Sequence, residues 1–500
     1  MTLSKLLNGI TVKKSSGPLE IEILDISQDS RKIKHGDLFV CISGTNFDGN
    51  DFIYKAIESG AVAIISEKNF DTVDYKTNIS FITIENMQTT LPNIAYKFYN
   101  FPQKKLKLIG VTGTNGKTTV THMIRTILKS FKKKTGLIGT IEHLILDTPI
   151  KSQNTTPDVL EIAKLFSKMV ESNVEYVIME VSSHALTLGR IDECKFLISV
   201  FTNLTQDHLD FHQNMKNYLN AKKKIFEMCK IGIVNSDDES SPEITKNSKC
   251  QIINYGFKNE CNYFAKNVRL SSKNVKFDLI NYDKTLLVNI NIPGEFSVYN
   301  GLAAISTCSA LGFDLNETCK YLSNFQGVKG RIEVVDTGKD FHVIIDYAHT
   351  PDGLLNILKT VRQFTVGRII TLFGCGGDRD KTKRTKMGEI AARYSDFCVI
   401  TSDNPRKEDP RAIIEDILPG IKKMECKYVV IENRREAIFY ATSIAKKDDI
   451  IILAGKGHET YQILSDKTVE FDERKIVLES LFKKNNTMLT KTNKTNNIRQ

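Results

Sequence analysis

The sequence predicts an α/β fold that is divided among several domains. At 500 residues the chain is too long for one hydrophobic core, so we expect two to four domains. Around residues 106–128 an apolar run, a Gly-rich turn and a helical pattern follow one another, which is the order strand, loop, helix. Beyond residue 340, apolar strands alternate with helical stretches, and this alternation favours a mostly parallel sheet.

The composition is that of a globular protein that keeps its thiols reduced. Hydrophobic residues make up 41% of the chain and charged residues 26%. The ten cysteines form no C-x-x-C pair and have no regular spacing, which is typical of scattered core thiols. Residues 1–10 lack the apolar core of a signal peptide, and no segment approaches the roughly 20 apolar residues of a membrane span. We therefore expect a cytoplasmic protein that does not insert into membranes.

The positive charge is spread along the chain. A net charge of +10 results from 69 Lys and Arg against 59 Asp and Glu. Dispersed lysines indicate a solvated surface, or attraction to acidic small molecules, more than a nucleic-acid binding stripe. We expect no nucleic-acid partner.

The Gly-rich turn is a predicted phosphate-binding loop. Residues 110–119 read Gly-Val-Thr-Gly-Thr-Asn-Gly-Lys-Thr-Thr, with two residues between the second and third glycines where the common phosphate loop has four. Backbone N–H groups and the dipole of the following helix favour a bound anion. Lys117 can reach the terminal phosphates and the Thr118 hydroxyl can hold Mg²⁺. We predict that ATP is bound by Thr112, Gly113, Thr114, Asn115, Gly116, Lys117, Thr118 and Thr119.

The first hundred residues predict a small α/β unit. Residues 21–26 alternate as a strand would, residues 36–42 and 61–65 predict two more strands, and residues 52–59 predict a short amphipathic helix. Ser30 and the loop 45–50 follow strand ends, where ligands usually lie in such sheets. Taken alone, Ser30 also fits an ordinary turn.

In the central part of the chain, polar side chains follow the ends of predicted strands. Residues 136–140, 176–179 and 197–203 predict strands, and a helix opens near residue 158 with Thr or Asp as its cap. Glu180 stands at the tip of a buried strand, where it can be either a Mg²⁺ ligand or a capping carboxylate. His208 follows the next strand and by itself fits a core or capping histidine. Charge alone makes Lys222, Lys223 and Lys224 a solvated helix face.

Four segments occur in a fixed order and carry a family resemblance. They are Gly-Thr-Asn-Gly-Lys-Thr-Thr, Asn-Thr-Thr-Pro, Glu-Val-Ser-Ser-His-Ala-Leu and Thr-Asn-Leu-Thr-Gln-Asp-His-Leu-Asp-Phe-His. Together they resemble the Mur ligases, ATP-dependent amide synthetases of peptidoglycan precursors, over about residues 27–474. The resemblance implies a small N-terminal α/β domain (1–101) that binds a UDP-linked substrate and a central phosphate-loop ATPase domain (102–333). It further implies a C-terminal Rossmann-like domain (334–484) that binds an amino acid, before a disordered polar tail (485–500).

The resemblance implies two Mg²⁺ ions. Thr118 and Glu180 would hold one ion at the β- and γ-phosphates, and Glu180, His208 and a carbamylated Lys222 would hold the other. Reaction with CO₂ turns a cationic amine into an anionic oxygen ligand, which suits hard Mg²⁺. The implied catalytic residues are Lys117, Lys222, His208 and Arg331.

Three further residues are implied at the nucleotide. Asn300 matches an adenine contact, Arg331 would reach the phosphates on closure, and Asp346 belongs to the same nucleotide-binding set. Ser297 replaces a usual asparagine of the family, which is a mild departure.

Two substrate sets follow from the resemblance. The UDP-linked dipeptide would be held by Ser30, Asn154, Thr155, Thr156, Ser182 and Arg190. The branch of the family that we compare often has Gln at the position of Leu188. The incoming amino acid would be held by Arg379, Asp403, Asn404, Pro405, Arg406, Gly455 and Glu459.

The tetrapeptide Asp403-Asn404-Pro405-Arg406 indicates the identity of that amino acid. In the family it marks enzymes that add meso-diaminopimelate, whose second carboxylate a planar guanidinium can bind in bidentate fashion. Lysine and ornithine remain alternatives. The implied function is an ATP-dependent ligase, acting as a monomer, that adds the third amino acid to UDP-N-acetylmuramoyl-L-alanyl-D-glutamate through an acyl-phosphate.

Two rival functions remain at this point. A folylpolyglutamate-type synthetase shares the logic of the ATP site, although the segments at residues 29–31 and 403–406 favour the Mur ligases. A basic nucleotide-binding protein without ligase chemistry would bind polynucleotides with steep salt dependence, and the scattered lysines do not favour it.

Overall fold

Three large sheets follow one another along the chain, and a two-stranded antiparallel sheet of Tyr461–Ile463 and Thr468–Glu470 comes after them. The computed structural model describes residues 1–44, 48–69, 79–258, 260–271 and 274–482. The predicted tail (485–500) and residues 45–47 of the predicted ligand loop lie outside the described residues. The predicted α/β class is confirmed by the alternation of strands and helices. The domain limits at residues 101, 333 and 484 remain a prediction.

The first sheet has the strand order β1-β5-β4-β3-β2, and all its pairs are parallel except β1–β5. Strands β3, β4 and β5 are buried along their whole length, which explains their short apolar runs. The elements are α1 (Leu3–Leu7), β1 (Val12–Ser16), β2 (Ile26–Ser27), β3 (Leu38–Val40), α2 (Ile53–Glu58), β4 (Ala63–Ser66), β5 (Ser80–Ile84) and α3 (Met87–Phe98), with a 3₁₀ turn at Gly49–Phe52.

The strand predicted at residues 21–26 is wrong over most of its length. Ladder pairing begins at Ile26, and before it Glu22 forms only an isolated antiparallel bridge with Thr2. Upstream, the Ile23 N–H donates to the Met1 carbonyl at 2.8 Å and the Leu24 N–H donates to the Gly36 carbonyl at 2.9 Å. These bonds tie the segment to the N-terminus and to a turn, so its backbone groups are satisfied without a sheet ladder.

The second sheet has the strand order β16-β15-β14-β13-β12-β11-β6-β10-β7-β8-β9. Its centre is parallel and both ends are antiparallel, so each end of the sheet consists of hairpins. The strands are β6 (Lys107–Thr112), β7 (Thr135–Ile138), β8 (Glu142–Ile145), β9 (Thr148–Lys151), β10 (Tyr176–Glu180), β11 (Phe196–Phe201), β12 (Cys229–Asn235), β13 (Gln251–Gly256), β14 (Tyr263–Leu270), β15 (Val275–Asn281) and β16 (Lys284–Ile290).

The helices of this part cover the sheet with apolar faces. Helix α4 buries Val120, Met123, Ile124, Ile127 and Leu128, a spacing of three and four residues that points one face at the sheet. The helices are α4 (Lys117–Ser130), α5 (Val159–Glu171), α6 (Ser183–Thr187), α7 (Leu209–His212), α8 (Met215–Lys223), α9 (Ser241–Thr245), α10 (Glu295–Ala310) and α11 (Leu315–Leu322), with 3₁₀ turns at Pro102–Lys105 and Lys224–Glu227.

The third sheet has the strand order β17-β18-β22-β19-β20-β21, parallel except for β17, and it confirms the predicted Rossmann-like class. Strands β18, β19, β20 and β22 end at one edge, where ligands bind in open parallel sheets. The elements are β17 (Glu333–Val335), β18 (His342–Asp346), α12 (Pro351–Arg362), β19 (Ile369–Phe373), α13 (Thr382–Tyr394), β20 (Phe397–Ile400), α14 (Pro410–Lys422), β21 (Lys427–Val430), α15 (Arg434–Ile444), β22 (Ile450–Ala454), β23 (Tyr461–Ile463) and β24 (Thr468–Glu470).

Across the described ranges, no helix combines the length and the apolar character that crossing a membrane requires.

Candidate active site

Two cavities between the second and third sheets share part of their walls. The loop cavity, about 640 Å³, is lined by residues 114–119 of the phosphate loop. The strand-end cavity, about 430 Å³, is lined by loops that follow β18, β19, β20 and β22. Both are lined by Asp207, His208, Tyr347, His349 and Asp352. Groups bound in the two cavities would therefore lie next to each other.

The phosphate loop depends on two glycines. Gly113 has φ +149° and Gly116 has φ +87°. A Cβ on Gly113 would lie 1.8 Å from Thr202 Oγ1, and a Cβ on Gly116 would lie 2.6 Å from Asn300 Oδ1. Helix α4 begins directly after this turn, so its first N–H groups border the cavity and can bind an anion.

Lys117 folds back over the loop. Its Nζ donates to the carbonyls of Gly113 and Thr114, each at 2.9 Å. Burial lowers the pKa of Lys117, while the carboxylates of Glu180 and Asp207 oppose that shift. An ammonium group has three N–H donors, so one remains for an anion in the cavity.

Glu180 ends strand β10 as an acceptor for two threonines. Its Oε2 accepts from Thr118 Oγ1 at 2.9 Å and from Thr140 Oγ1 at 3.0 Å, and its Oε1 accepts from the Thr140 N–H at 2.8 Å. This set of hydroxyl and carboxylate oxygens fits Mg²⁺. In the described part of the chain, no three His, Cys, Asp or Glu side chains gather as a metal site. A metal here would therefore need other oxygen donors as well, such as a hydroxyl or phosphate group.

Lys222 is buried behind the loop and is not among the described residues that line the cavity. Its Nζ donates to the Gly113 carbonyl at 2.8 Å and lies 4.6 Å from the centre of the Tyr218 ring. Burial, with help from the Lys117 charge, holds the pKa of Lys222 well below its usual range, although Asp207 opposes this. A lowered pKa increases the share of the neutral amine, which is the form that reacts with CO₂, so the site fits the predicted carbamate.

His208 adopts a left-handed backbone conformation with φ +53°, which costs free energy in a residue other than glycine. Its ring lies 4.9 Å from the ring of His184, and its Nε2 lies 3.4 Å from Asp207 Oδ2. Burial lowers the pKa of His208 to about 4, although the Asp207 carboxylate opposes this. The ring is therefore neutral at pH 7 and its free nitrogen can bind a metal.

Arg331 reaches the loop cavity from the start of the third sheet. Its guanidinium lies 4.6 Å from the centre of the Tyr347 ring, and its buried Nε has no hydrogen-bond partner among the described residues. Asp346 fixes the adjoining backbone, accepting from the N–H groups of Ile332 and Ala348, each at 2.8 Å. Burial raises the pKa of Asp346, and the Arg331 charge opposes the shift. Asn300 lines the same cavity.

Most of the residues predicted for the UDP-linked substrate do not line the two cavities. Thr155 lines the loop cavity, and its Oγ1 lies 3.0 Å from Thr140 Oγ1. Thr156 receives the Ser182 N–H on its Oγ1 at 2.9 Å and an Arg190 N–H on its carbonyl at 2.8 Å. The Ser182 hydroxyl also caps α6 by accepting from the Ala185 N–H. The predicted contacts that line neither cavity are Ser30, Asn154, Thr156, Ser182 and Arg190.

Most of the residues predicted to bind the incoming amino acid line the same cavity. The strand-end cavity is lined by Arg379, Asp403, Asn404, Arg406, Gly455 and Glu459, whereas Pro405 is buried beside it. Asn404 Nδ2 donates to Glu459 Oε2 at 2.8 Å, and an Arg406 N–H donates to the Gly377 carbonyl at 2.9 Å. The cavity thus presents carboxylates and guanidinium groups to one ligand.

Sequence reasoning missed several residues of the site. Asp352 is the clearest example, since its Oδ2 accepts from Asn115 Nδ2 at 2.7 Å and from Thr205 Oγ1 at 3.0 Å, joining α12 to the phosphate loop. Burial raises the pKa of Asp352. A carboxylate in the first turn of a helix predicts only that it stabilises the helix dipole. The local sequence therefore gives no indication of the contact with the phosphate loop. The other missed residues are Thr140, Asn203, Asp207, His349 and Lys456.

Three family models match the chain. Residues 22–99 match the model described as "Mur ligase family, catalytic domain", residues 111–308 match "Mur ligase middle domain", and residues 330–457 match "Mur ligase, glutamate ligase domain".

Named relatives cover nearly the whole chain. A "UDP-N-acetylmuramoyl-L-alanyl-D-glutamate--2,6-diaminopimelate ligase" of Caldanaerobacter subterraneus subsp. tengcongensis is 49% identical over 96% of this chain and 99% of its own length. A protein of the same name from Syntrophomonas wolfei is 46% identical over the same shares. A solved structure of a ligase with that name covers 97% of this chain and 99% of its own, with 29% identity and a TM-score of 0.67.

Proposed function

The chain belongs to the Mur ligase family, and we propose that it joins meso-2,6-diaminopimelate to UDP-N-acetylmuramoyl-L-alanyl-D-glutamate with hydrolysis of ATP to ADP and phosphate. The observation that carries the proposal is the shared wall of the two cavities. A phosphate-binding loop borders one cavity, a set of amino-acid contacts borders the other, and Asp207, His208 and His349 border both.

In the first step, the substrate carboxylate of D-glutamate attacks the γ-phosphorus of ATP. The bond from that phosphorus to the bridging oxygen breaks, and an acyl-phosphate and ADP result. Lys117 and the first N–H groups of α4 neutralise the phosphate charge, and Arg331 approaches from the third sheet. Catalysis of this kind consists mainly of positioning and of charge stabilisation by groups fixed in advance.

We propose that two Mg²⁺ ions bind beside the loop. Thr118 and Glu180 would hold one ion, and Glu180, His208 and carbamylated Lys222 would hold the other. The ions would neutralise charge on the transferring phosphate. Thr140 keeps the Glu180 carboxylate in place through two hydrogen bonds, so it orients a shared ligand.

In the second step, the amine of the incoming amino acid attacks the acyl carbon. The carbon–oxygen bond to phosphate breaks, phosphate leaves, and the amine loses a proton. Because the two cavities adjoin, an amine held in the strand-end cavity lies next to the carboxylate activated in the loop cavity. Ser30, Thr155, Thr156, Ser182 and Arg190 would hold the rest of the UDP-linked peptide.

The proposal is tested by phosphate release from ATP with Mg²⁺, bicarbonate and UDP-N-acetylmuramoyl-L-alanyl-D-glutamate. The added amino acid is varied among meso-diaminopimelate, lysine and ornithine. We expect turnover with meso-diaminopimelate and little with the other two. Equal or better turnover with lysine or ornithine would support the ligase activity but reject meso-diaminopimelate as the preferred amino acid. Folded protein that turns over none of them but accepts folate with glutamate would be the folylpolyglutamate-type rival.

Replacing Arg406 with methionine is expected to raise the KM for meso-diaminopimelate by about 100-fold, because a charged, bidentate contact to its second carboxylate is lost. The change should leave the KM for ATP within about twofold of the wild type. Arg411→Met is the matched control, since Arg411 is 80% exposed and pairs with Glu432 in the same part of the chain. An Arg406→Met enzyme with an unchanged preference for meso-diaminopimelate would contradict the assignment.

Two further features belong to the proposal. We place the enzyme in the cytoplasm, where nucleotide-linked substrates are made, and we propose that it acts as a monomer, since one chain supplies both cavities. The named relatives, which cover nearly the whole chain at 46% and 49% identity, favour this reading over the folylpolyglutamate-type alternative.

A further inference from the structure

We infer that Lys456 is a positioning residue for the incoming amino acid, which fixes the Asn404 amide and the Glu459 carboxylate before the substrate binds. The inference rests on the proposed function and deepens it, because it assigns part of the amino-acid specificity to a side chain outside the predicted substrate contacts. Lys456 follows strand β22 and is fully buried.

Lys456 joins the two polar groups that line the strand-end cavity. Its Nζ donates to Asn404 Oδ1 at 3.0 Å and to Glu459 Oε2 at 3.2 Å. Asn404 Oδ1 also accepts from the Ile463 N–H at 2.9 Å. With two donors on its oxygen, the Asn404 amide has one orientation, and its Nδ2 donates to Glu459 Oε2 at 2.8 Å.

These contacts leave one carboxylate oxygen for the substrate. Glu459 Oε2 accepts from both Asn404 and Lys456, whereas Oε1 has no hydrogen-bond partner within the described part of the chain. An ammonium group of a diamino acid that enters the cavity can donate to Oε1. Lys456 therefore fixes the carboxylate in the orientation that this ammonium group needs, without contacting the substrate itself.

The surroundings of Lys456 keep it rigid. Its Nζ lies 5.9 Å from the centre of the Tyr461 ring and 5.8 Å from that of Phe471, so aromatic faces surround the charge. The end of β22 is held by Arg434, which donates to the Ala454 carbonyl at 2.9 Å and pairs with the buried Glu473. A binding group is precise when its supporting residues are fixed in this way.

Removing the ammonium would leave Glu459 with one neutral donor and would free the Asn404 amide to rotate. Outer contacts of this kind change ligand affinity by about 10- to 100-fold when they are lost. The effect should appear in the binding of the diamino acid and not in the binding of ATP, because Lys456 does not line the loop cavity.

The test measures KM for meso-diaminopimelate, ATP and the UDP-linked dipeptide in the wild type, K456M, K456R and the control R368M. We expect K456M to raise the KM for meso-diaminopimelate by about 30-fold, with the other two KM values within about threefold of the wild type. K456R retains a cation and should give a smaller rise. Arg368 pairs with Asp449 at the opposite end of β22, so R368M removes an ion pair from the same strand without touching the cavity.

A double-mutant cycle with E459Q separates positioning from a merely structural role. If Lys456 acts through Glu459, the rise in KM for K456M/E459Q is smaller than the product of the two single effects. Multiplicative effects, or an equal rise in all three KM values, would overturn the inference. If K456M does not fold, K456R provides the test. An unchanged ratio of the KM for meso-diaminopimelate to the KM for ATP in K456R would contradict the inference. A wild type without turnover would instead reject the proposed function itself, and the inference with it.

Discussion

Replacing Lys117 with methionine is expected to lower kcat for phosphate release by about 10³-fold, equivalent to about 4 kcal/mol of transition-state stabilisation. The methionine side chain has similar length but no charge, so the phosphate loses the ammonium group that Gly113 and Thr114 hold over the loop. Negative charge on the transferring phosphate then has one cation fewer to stabilise it. The measurement is initial phosphate release at saturating ATP, dipeptide and meso-diaminopimelate.

Lys129→Met is the control for this prediction. Lys129 lies in the last turn of the same helix, is 42% exposed and pairs with Asp147, away from the cavity. Its substitution should leave kcat within about twofold of the wild type. Thermal unfolding of both variants checks that the loop still folds. A Lys117→Met enzyme with near-normal kcat would show that the loop binds no phosphate during the reaction.

Local sequence pattern was enough to predict the strand–loop–helix unit and the parallel core around it. The apolar run before the loop became β6, which is buried on both faces, and the helical pattern after it became α4, which buries one face. Helix α5 begins after Asp158, which accepts from the Glu161 N–H as a predicted cap does. In each case the signal and the structure arise from the same few neighbouring residues.

The secondary-structure predictions fail where contacts between residues far apart in the sequence determine the backbone conformation. Residues 21–25 alternate like a strand but bond to Met1 and Gly36, and the sequence offers no sign of either partner. Strands β1 and β5 and helix α3 were missed, and β1 pairs with β5, which lies far along the chain.

The candidate site also contains residues that the sequence could identify and residues that it could not. Residues within the phosphate loop and the segment 403–406 could be named from the sequence, because each set is contiguous. Asp352 and Lys456 could not, since each gains its role by touching a residue more than fifty positions away in sequence or in another layer of the fold. Only the resemblance to the family grouped Glu180, His208 and Lys222 as ligands of one metal ion. Without it, the sequence favours a capping carboxylate for Glu180, a core histidine for His208 and a solvated helix face for Lys222.

Lys222 leads to the other large effect. Replacing it with methionine is expected to lower kcat by about 10³-fold or more, because a carbamate ligand is lost where charge neutralisation is needed. The neighbouring Lys223, whose side chain pairs with Glu243, supplies the matched control, and Lys223→Met should remain within about twofold of the wild type. Carbon-13-labelled bicarbonate adds a readout independent of activity: the carbamate signal should be present in the wild type and in Lys223→Met, and absent from Lys222→Met.

The pH dependence of that signal follows from the burial of Lys222. Only the neutral amine reacts with CO₂, and protonation at low pH removes it. Because burial holds the pKa of Lys222 well below its usual range, the neutral form persists to lower pH than it would for a lysine in water. The carbamate signal and kcat should therefore both be present at neutral pH and decline together on acidification below that lowered pKa. Full activity in Lys222→Met would show that the reaction needs neither the amine nor its carbamate. Full activity in wild-type enzyme whose carbamate signal has been removed by depletion of bicarbonate would show that the buried amine, and not its carbamate, serves the reaction.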